Sequence, residues 1–564
     1  MTQLLTSAAE AACDLLDTLR ALYDAAGFGL ESLDGLVEVT RRVAAGDFHP
    51  AVVWPIYAAD MPDKPALVQG ERCFTWRQAN ARINRLANAL HSIDVESGDR
   101  IAIMLGNSIE WFEAMAGCQK VGASAVFVSY RYTAPEVRYL LENSGATVFL
   151  FDVKYASVVH EATAELGFEQ DRLVAVGPEQ GSGFVPYEIF LALGSEDEPP
   201  AEWRRGGSRT ILYTSGTTGK PKGAVRDLAK ARLTEVLGLL RRVPFRRSDH
   251  HLIAAPLYHA TGSGFAAAHL SLGATLYILE KFDPIEFLAT VDREKITTSA
   301  LVPTMLRAIL DEPAEERAKF DTSSLRVIVT TGSALPESLE IAARESFGDV
   351  LYDLYGSTEM GYVTVASPED KRACPGTIGR PFPGVDVVLL DDHRRPVPDG
   401  EVGELFARSS LTVEGYHGND AATRASRFGD YFSVGDLALR DPRGYLHLVG
   451  RKTDMVISGG MNVYPAEIES VLTAHPAIRE AAVIGVPDEK WGEALVAFVV
   501  ARKPAEIPAT EELIAFCKRS LAGYKVPRRF ERVDELPRNP TGKVLKRELR
   551  DRLERTEPPP PHSE

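Results

Sequence analysis

The sequence predicts an α/β protein: a large N-terminal domain with mainly parallel sheets and flanking helices, then a small α+β C-terminal domain. Three observations predict it. From residue 48 to residue 448, short β-rich runs alternate with longer helical ones, the pattern of strand–helix–strand crossovers. Past Gly450 the alternation gives way to a compact set of strands and helices. The chain is 564 residues long, 45% hydrophobic and 25% charged, which suits a globular protein of several domains whose core needs no disulfide or metal.

In chain order, residues 1–47 form an N-terminal helical extension. Leu4, Leu5, Ala8, Ala12, Leu15, Leu16, Leu19 and Leu22 fall near helical spacing, with Glu10, Asp14, Asp17 and Asp24 on the polar side. An acidic face suits packing on protein better than lying on anionic lipid. Residues 48–452 form the large domain. Its expected strands include 100–105, 125–129, 147–152, 275–279 and 325–330. Its expected helices include 76–93, 109–121 and 336–347, the last with Pro336 at a helix-start position. Ligands of such sheets sit on loops at the carboxyl ends of strands. Residues 453–553 form the small domain: 454–458 leads into Gly459–Gly460, followed by a helix at 465–473, strands at 481–486 and 494–500, and a helix at 510–521. Residues 554–564, with four successive prolines, are expected to be a disordered tail.

The net charge of -16 disfavours nonspecific nucleic-acid binding, because phosphates would meet a repulsive average field. The five cysteines, Cys13, Cys73, Cys118, Cys374 and Cys517, show neither metal spacing nor a disulfide framework, so a reducing cytoplasm is the expected home. No apolar run reaches the ~18 residues of a transmembrane helix, and no basic segment precedes an apolar one at the N-terminus. Peripheral membrane contact stays open.

The strongest local signal is Tyr213-Thr214-Ser215-Gly216-Thr217-Thr218-Gly219-Lys220-Pro221-Lys222-Gly223, entered from the apolar pair Ile211–Leu212. Glycines let backbone N–H groups turn toward an anion, hydroxyls add donors, and Lys220 and Lys222 supply positive charge. A flexible linker would not carry two lysines, a rigid proline and a preceding strand. This is phosphate-binding chemistry. It is not a Walker loop, because two residues rather than four separate Gly216 from Gly219, and Pro221 follows Lys220.

The run resembles the phosphate loop of the adenylate-forming superfamily: acyl-CoA synthetases, peptide-synthetase adenylation domains and firefly luciferase. Five more motifs follow in the family's order. They are Pro256-Leu257-Tyr258-His259-Ala260-Thr261-Gly262, Tyr355-Gly356-Ser357-Thr358-Glu359, Tyr431-Phe432-Ser433-Val434-Gly435-Asp436, Gly450-Arg451 with Ser458-Gly459-Gly460, and Asn539-Pro540-Thr541-Gly542-Lys543. The resemblance spans roughly residues 48–550.

Each motif has a physical reading beside the resemblance. Tyr355 offers an aromatic face for adenine, the competing use being core packing, and Asp353 could accept from the exocyclic amine. Thr358 can donate to the α-phosphate, and Glu359 can bind a hard cation such as Mg²⁺. The resemblance pairs Glu359 with the Thr217 hydroxyl on that metal and Gly356 with the nucleotide. It also places Gly332-Ser333-Ala334 along adenine, Asp436 on both ribose hydroxyls, Arg451 near ribose or phosphate, and His259 beside the substrate carboxylate. A Lys543 ammonium could bridge the attacking carboxylate and the α-phosphate, offsetting the repulsion of two anions.

The implied activity is an ATP-dependent acid–thiol ligation. A carboxylate attacks the α-phosphate of Mg·ATP, giving acyl adenylate and pyrophosphate. The mobile small domain then turns on a hinge near Thr453, a position where many relatives carry Asp or Lys. Lys543 leaves, Ser458, Gly459 and Gly460 come forward, and the thiol of coenzyme A displaces AMP. Small residues at 260–268, with Phe265 among them, suggest an apolar tunnel for a medium or long fatty acyl chain. An aryl acid, a carrier-protein thiol as acceptor, or an inactive nucleotide-binding regulator are the alternatives.

Overall fold

The computed structural model describes residues 30–45, 47, 49–178, 183–204, 209–214, 222–227, 233–458, 461–488, 491–502, 508–538 and 543–556. The expected helix over residues 4–22, most of the phosphate loop, Gly459, Gly460 and residues 539–542 lie outside them.

Two large sheets form the body of the chain. In the nine-stranded sheet, six neighbouring strands from Pro65–Gln69 to Leu351–Ser357 run parallel, and antiparallel strands close both edges. The eight-stranded sheet is parallel from Arg209–Thr214 through Ser124–Phe127, Arg100–Met104 and Val148–Asp152 to Val185–Pro186, with Lys222–Asp227 and Gly415–Tyr416 antiparallel at one edge. The strands Arg100–Met104, Ser124–Phe127 and Val148–Asp152 are buried along nearly their whole length, as expected for sheets covered by helices on both faces. Helices cover them for legible reasons. Thr75 and Gln78 form a capping box at the start of helix Trp76–Ser92, whose Trp76 is fully buried against Trp54 and Tyr57. Ser108 caps helix Ile109–Lys120 through the Trp111 N–H at 3.2 Å.

One difference from the expectation matters for function. The segment from Asp386 to Arg451 forms a third, antiparallel sheet of six short strands, which the sequence pattern did not announce. The small domain follows its expectation: a fourth sheet in which Ile478–Asp488 and Gly492–Ala501, which contain the expected strands, pair as a long antiparallel ribbon. The last helix, Lys546–Thr556, runs three residues past the expected start of the tail at 554.

Of the N-terminal extension, helix Leu33–Ala45 is described. Ion pairs hold it on the body. Buried Arg42 reaches Glu38 at 2.7 Å, Asp47 at 2.6 Å and Glu198 at 3.0 Å. Glu198 also takes the ammonium of fully buried Lys120 at 2.7 Å, while Asn80 and Asn84 accept its other bonds at 2.8 and 2.6 Å. A buried ammonium requires such full satisfaction.

Candidate active site

The site assembles where the nine-stranded sheet, the edge of the eight-stranded sheet and the antiparallel sheet meet. Strand Leu351–Ser357 carries Tyr355 and Gly356 at its carboxyl end. The chain turns sharply there and returns as Gly361–Ala366. Gly356 is required because a Cβ would stand 2.3 Å from the Gly361 carbonyl oxygen, and Gly361 itself has φ of +77°. The Ser357 hydroxyl accepts from the Glu359 and Met360 N–H groups at 3.2 and 3.0 Å. That turn aims the buried Glu359 carboxylate at Tyr416, whose hydroxyl donates to Oε1 at 3.2 Å.

The antiparallel sheet brings Asp436 and Arg451 together as direct register partners on strands Asp436–Arg440 and Leu446–Arg451. Arg451 Nε donates to Asp436 Oδ1 at 2.9 Å, and the Tyr355 hydroxyl donates to Oδ2 at 2.9 Å. Burial and the neighbouring carboxylate push the Tyr355 phenol well above its ordinary range, so it stays a donor. The Tyr355 ring packs inside the cluster of Ala224, Met360 and Phe432, and its hydroxyl fixes Asp436. Asp353 is engaged by Lys371 at 2.7 Å, its other oxygen 3.5 Å from the Thr330 hydroxyl. A buried carboxylate needs such a counter-ion.

His259 occupies the N-cap of helix Ala260–Leu272. Its Nε2 is buried with no hydrogen-bond partner among the described residues. Burial, then the charges of Arg131 and Lys543, push the imidazole down to about 4, so it is neutral near pH 7. Gly332 of the loop Gly332-Ser333-Ala334 has φ of +90° and approaches Thr261 in the first turn of that helix.

Lys543 comes from the far end of the chain into this cluster. Burial lowers its pKa, the Arg451 charge lowers it further, and Asp436 and Glu359 oppose the shift. Lys543 thus feels the charges of Arg451, Asp436 and Glu359, and His259 feels the charge of Lys543. At the phosphate loop the flanks Thr214 and Lys222 are register partners in the Arg209–Thr214 and Lys222–Asp227 pair, and Lys222 Nζ stands 5.1 Å from the centre of the Tyr416 ring. Ser215, Gly216, Thr217, Thr218, Gly219 and Lys220 lie outside the described residues. Ser458 ends strand Val456–Ser458 and pairs with Met461 and Gly492 on the small domain's sheet.

Sequence reasoning missed three residues. Tyr416 orients Glu359; its signal is the Gly-Tyr pair that bridges to Ala224 and Val225. Arg226 donates to the Thr358 carbonyl, and Arg131 adds charge beside His259. The last two carry no local motif. The small residues at 260–268 lie in helix Ala260–Leu272. A Cβ on Gly264 would meet the Tyr362 hydroxyl at 2.2 Å and one on Gly262 the Pro256 carbonyl oxygen at 2.4 Å, while Phe265 is fully buried and stacked on Tyr362. Ala260, Thr261, Ser263, Gly264 and Ala268 are partly exposed.

Comparison with known families follows the same outline. The AMP-binding enzyme family matches residues 56–417, and the AMP-binding enzyme C-terminal domain matches residues 467–543. This chain is an AMP-binding enzyme. It is 34% identical over 505 residues to the fatty acid–[acyl-carrier-protein] ligase ScoC of Streptomyces coeruleorubidus, covering 88% of this chain and 95% of that protein. It is 33% identical over 485 residues to the long-chain-fatty-acid–CoA ligase FadD13 of Mycobacterium tuberculosis, covering 86% and 94%. The enzyme's fold superposes on the anthranilate CoA ligase AuaEII, solved in complex with anthranoyl-AMP, with a TM-score of 0.84 at 29% identity, covering 90% and 98%. No helix among the described residues is long and apolar enough to cross a membrane.

Proposed function

We propose that the enzyme joins a carboxylic acid to the thiol of coenzyme A in two steps, through an acyl adenylate, with release of pyrophosphate and then AMP. The observation that carries this is the position of Lys543. It brings an ammonium from the small domain into the field of Glu359, Asp436, Arg451 and His259. Two anions must meet in the first step, and a cation placed between them removes much of the barrier. Asp436, held by Tyr355 and Arg451, takes the ribose hydroxyls. Lys222 and the phosphate loop hold the departing pyrophosphate. Neutral His259 lines the carboxylate.

Glu359 with Thr217 would hold Mg²⁺. The fit rests on a hard carboxylate, buried and aimed by Ser357 and Tyr416. The ion would neutralise charge on the phosphates.

For the second step the chain divides at residue 452. Lys452 stays on the large domain through Asp392 at 2.8 Å and Glu404 at 3.2 Å. Rotation about Thr453 withdraws Lys543 and presents Ser458, Gly459 and Gly460 to the pantetheine arm. The acid is a medium or long fatty acid. The Tyr362–Phe265 stack closing on Gly264 favours an aryl acid as the second reading. Four free thiols at Cys73, Cys118, Cys374 and Cys517 accord with a reducing cytoplasm.

ATP–pyrophosphate exchange, measured across acids graded by chain length and ring content, tests the activity. Exchange that depends on added acid supports it; none with any acid favours a nucleotide-binding regulator. Supplying coenzyme A or a carrier protein and weighing the product decides the acceptor.

A further inference from the structure

A second cluster of ligand-type side chains lies outside the nucleotide site. Cys374, Asp441 and His447 converge so that one ligand atom from each lies within 4.8 Å of the others. Cys374 Sγ is 3.5 Å from His447 Nε2 and 3.7 Å from Asp441 Oδ2. Tetrahedral zinc binds sulfur at about 2.3 Å, and nitrogen and oxygen at about 2.0–2.2 Å, so the sulfur–nitrogen and sulfur–oxygen edges of its coordination shell are about 3.6 Å long. The protein already holds both edges near that length.

The scaffold around the three residues is rigid. Cys374 caps helix Pro368–Ala373, its N–H donating to the Asp370 carbonyl at 2.8 Å. Asp441 opens the turn between strands Asp436–Arg440 and Leu446–Arg451. Its Oδ1 accepts from the Arg443 and Tyr445 N–H groups at 2.9 and 2.8 Å, which leaves Oδ2 facing the sulfur. His447 also hydrogen-bonds the Gly376 main chain. An imidazole that donates to a backbone carbonyl keeps the lone pair of its other nitrogen for a ligand. Main-chain bonds from Ile378 to Leu446 and from Leu446 to Gly379, both 2.9 Å, tie the Cys374 segment to the His447 strand.

Charge and access agree with the geometry. A thiolate and a carboxylate together balance a divalent ion, and a sulfur–nitrogen–oxygen set suits zinc rather than magnesium. The competing cation is Arg443, whose Nε sits 3.1 Å from Asp441 Oδ2. Its side chain is 55% exposed and can turn into solvent. Asp441 and His447 are partly exposed, which gives an entry path. We propose that Cys374, Asp441 and His447 bind a zinc-type divalent ion with water in the fourth position, pinning the hairpin that carries Asp436 and Arg451 at its other end. The two ends are about 16 Å apart along the strand, so this ion is separate from the Mg²⁺ assigned to Glu359.

The test is cobalt substitution of the full-length, chelator-treated protein. The expected result is a near-ultraviolet thiolate-to-cobalt band that saturates at one equivalent and is bleached by added Zn²⁺. Cys374→Ser should abolish the band, and His447→Gln should weaken cobalt binding by at least about tenfold. Absence of a thiolate band in the folded protein overturns the proposal, and so does a band that survives Cys374→Ser. Should Cys374→Ser fail to fold by circular dichroism, His447→Gln decides alone, and unchanged cobalt affinity in that variant overturns the site.

Discussion

Lys543 is the residue on which the proposed chemistry turns. Removing its ammonium leaves two anions to approach unaided, so Lys543→Ala should slow acyl-adenylate formation from acid and ATP by roughly 10²-fold or more. Thiolysis of supplied acyl adenylate should be nearly unaffected. Single-turnover assays of the two half-reactions check this, and a normal first half-reaction would remove Lys543 from the mechanism. Because burial and Arg451 lower its pKa, adenylation should decline with rising pH before an ordinary lysine would titrate, and Lys543→Arg should move that decline upward. His259 is already neutral above about 4, so it contributes no acidic limb near pH 6.

Two elements carry separable predictions. Helix Leu33–Ala45 is bound through Glu198, which serves Arg42 and Lys120 together. Glu198→Ala leaves the buried Lys120 ammonium without its counter-ion and should cost about 3–5 kcal/mol, read from urea unfolding. Helix Ala260–Leu272 presses Gly264 against the Tyr362 hydroxyl. Tyr362→Ala opens space there, so kcat/KM for longer acyl chains should rise by about tenfold relative to short ones. An unchanged chain-length profile would place the acyl group elsewhere.

Across the whole molecule, buried histidines contribute to the response to mild acid. His251 and His269 are fully buried and stacked at 3.8 Å, bridged by the Thr298 hydroxyl. Burial pushes His269 down to about 4 and His251 well below the ordinary value. The unfolded chain therefore binds these protons first. Stability falls as pH drops below about 6.5, by up to about 1.4 kcal/mol per pH unit for each histidine. The double variant His251→Asn/His269→Asn should reduce the slope of unfolding free energy between pH 6.5 and 5, where few carboxylates yet titrate, and leave the share due to other buried histidines such as His259 and His49.

The same scale shows what the sequence could express. The parallel strands were legible because burial on both faces makes them unbroken apolar runs, as at Arg100–Met104. The antiparallel sheet was not, because pieces such as Arg427–Phe428 and Tyr431–Phe432 are two residues long. Among site residues, those inside contiguous motifs were visible. Tyr416 and Arg226 were not, since each acts on Glu359 or Thr358 across a long gap in sequence.

Chain order has a further consequence. His259, Glu359, Asp436 and Arg451 all precede Lys543, which reaches their cluster last. During synthesis on the ribosome, the residues proposed to hold the nucleotide are therefore made before the lysine proposed to drive its reaction.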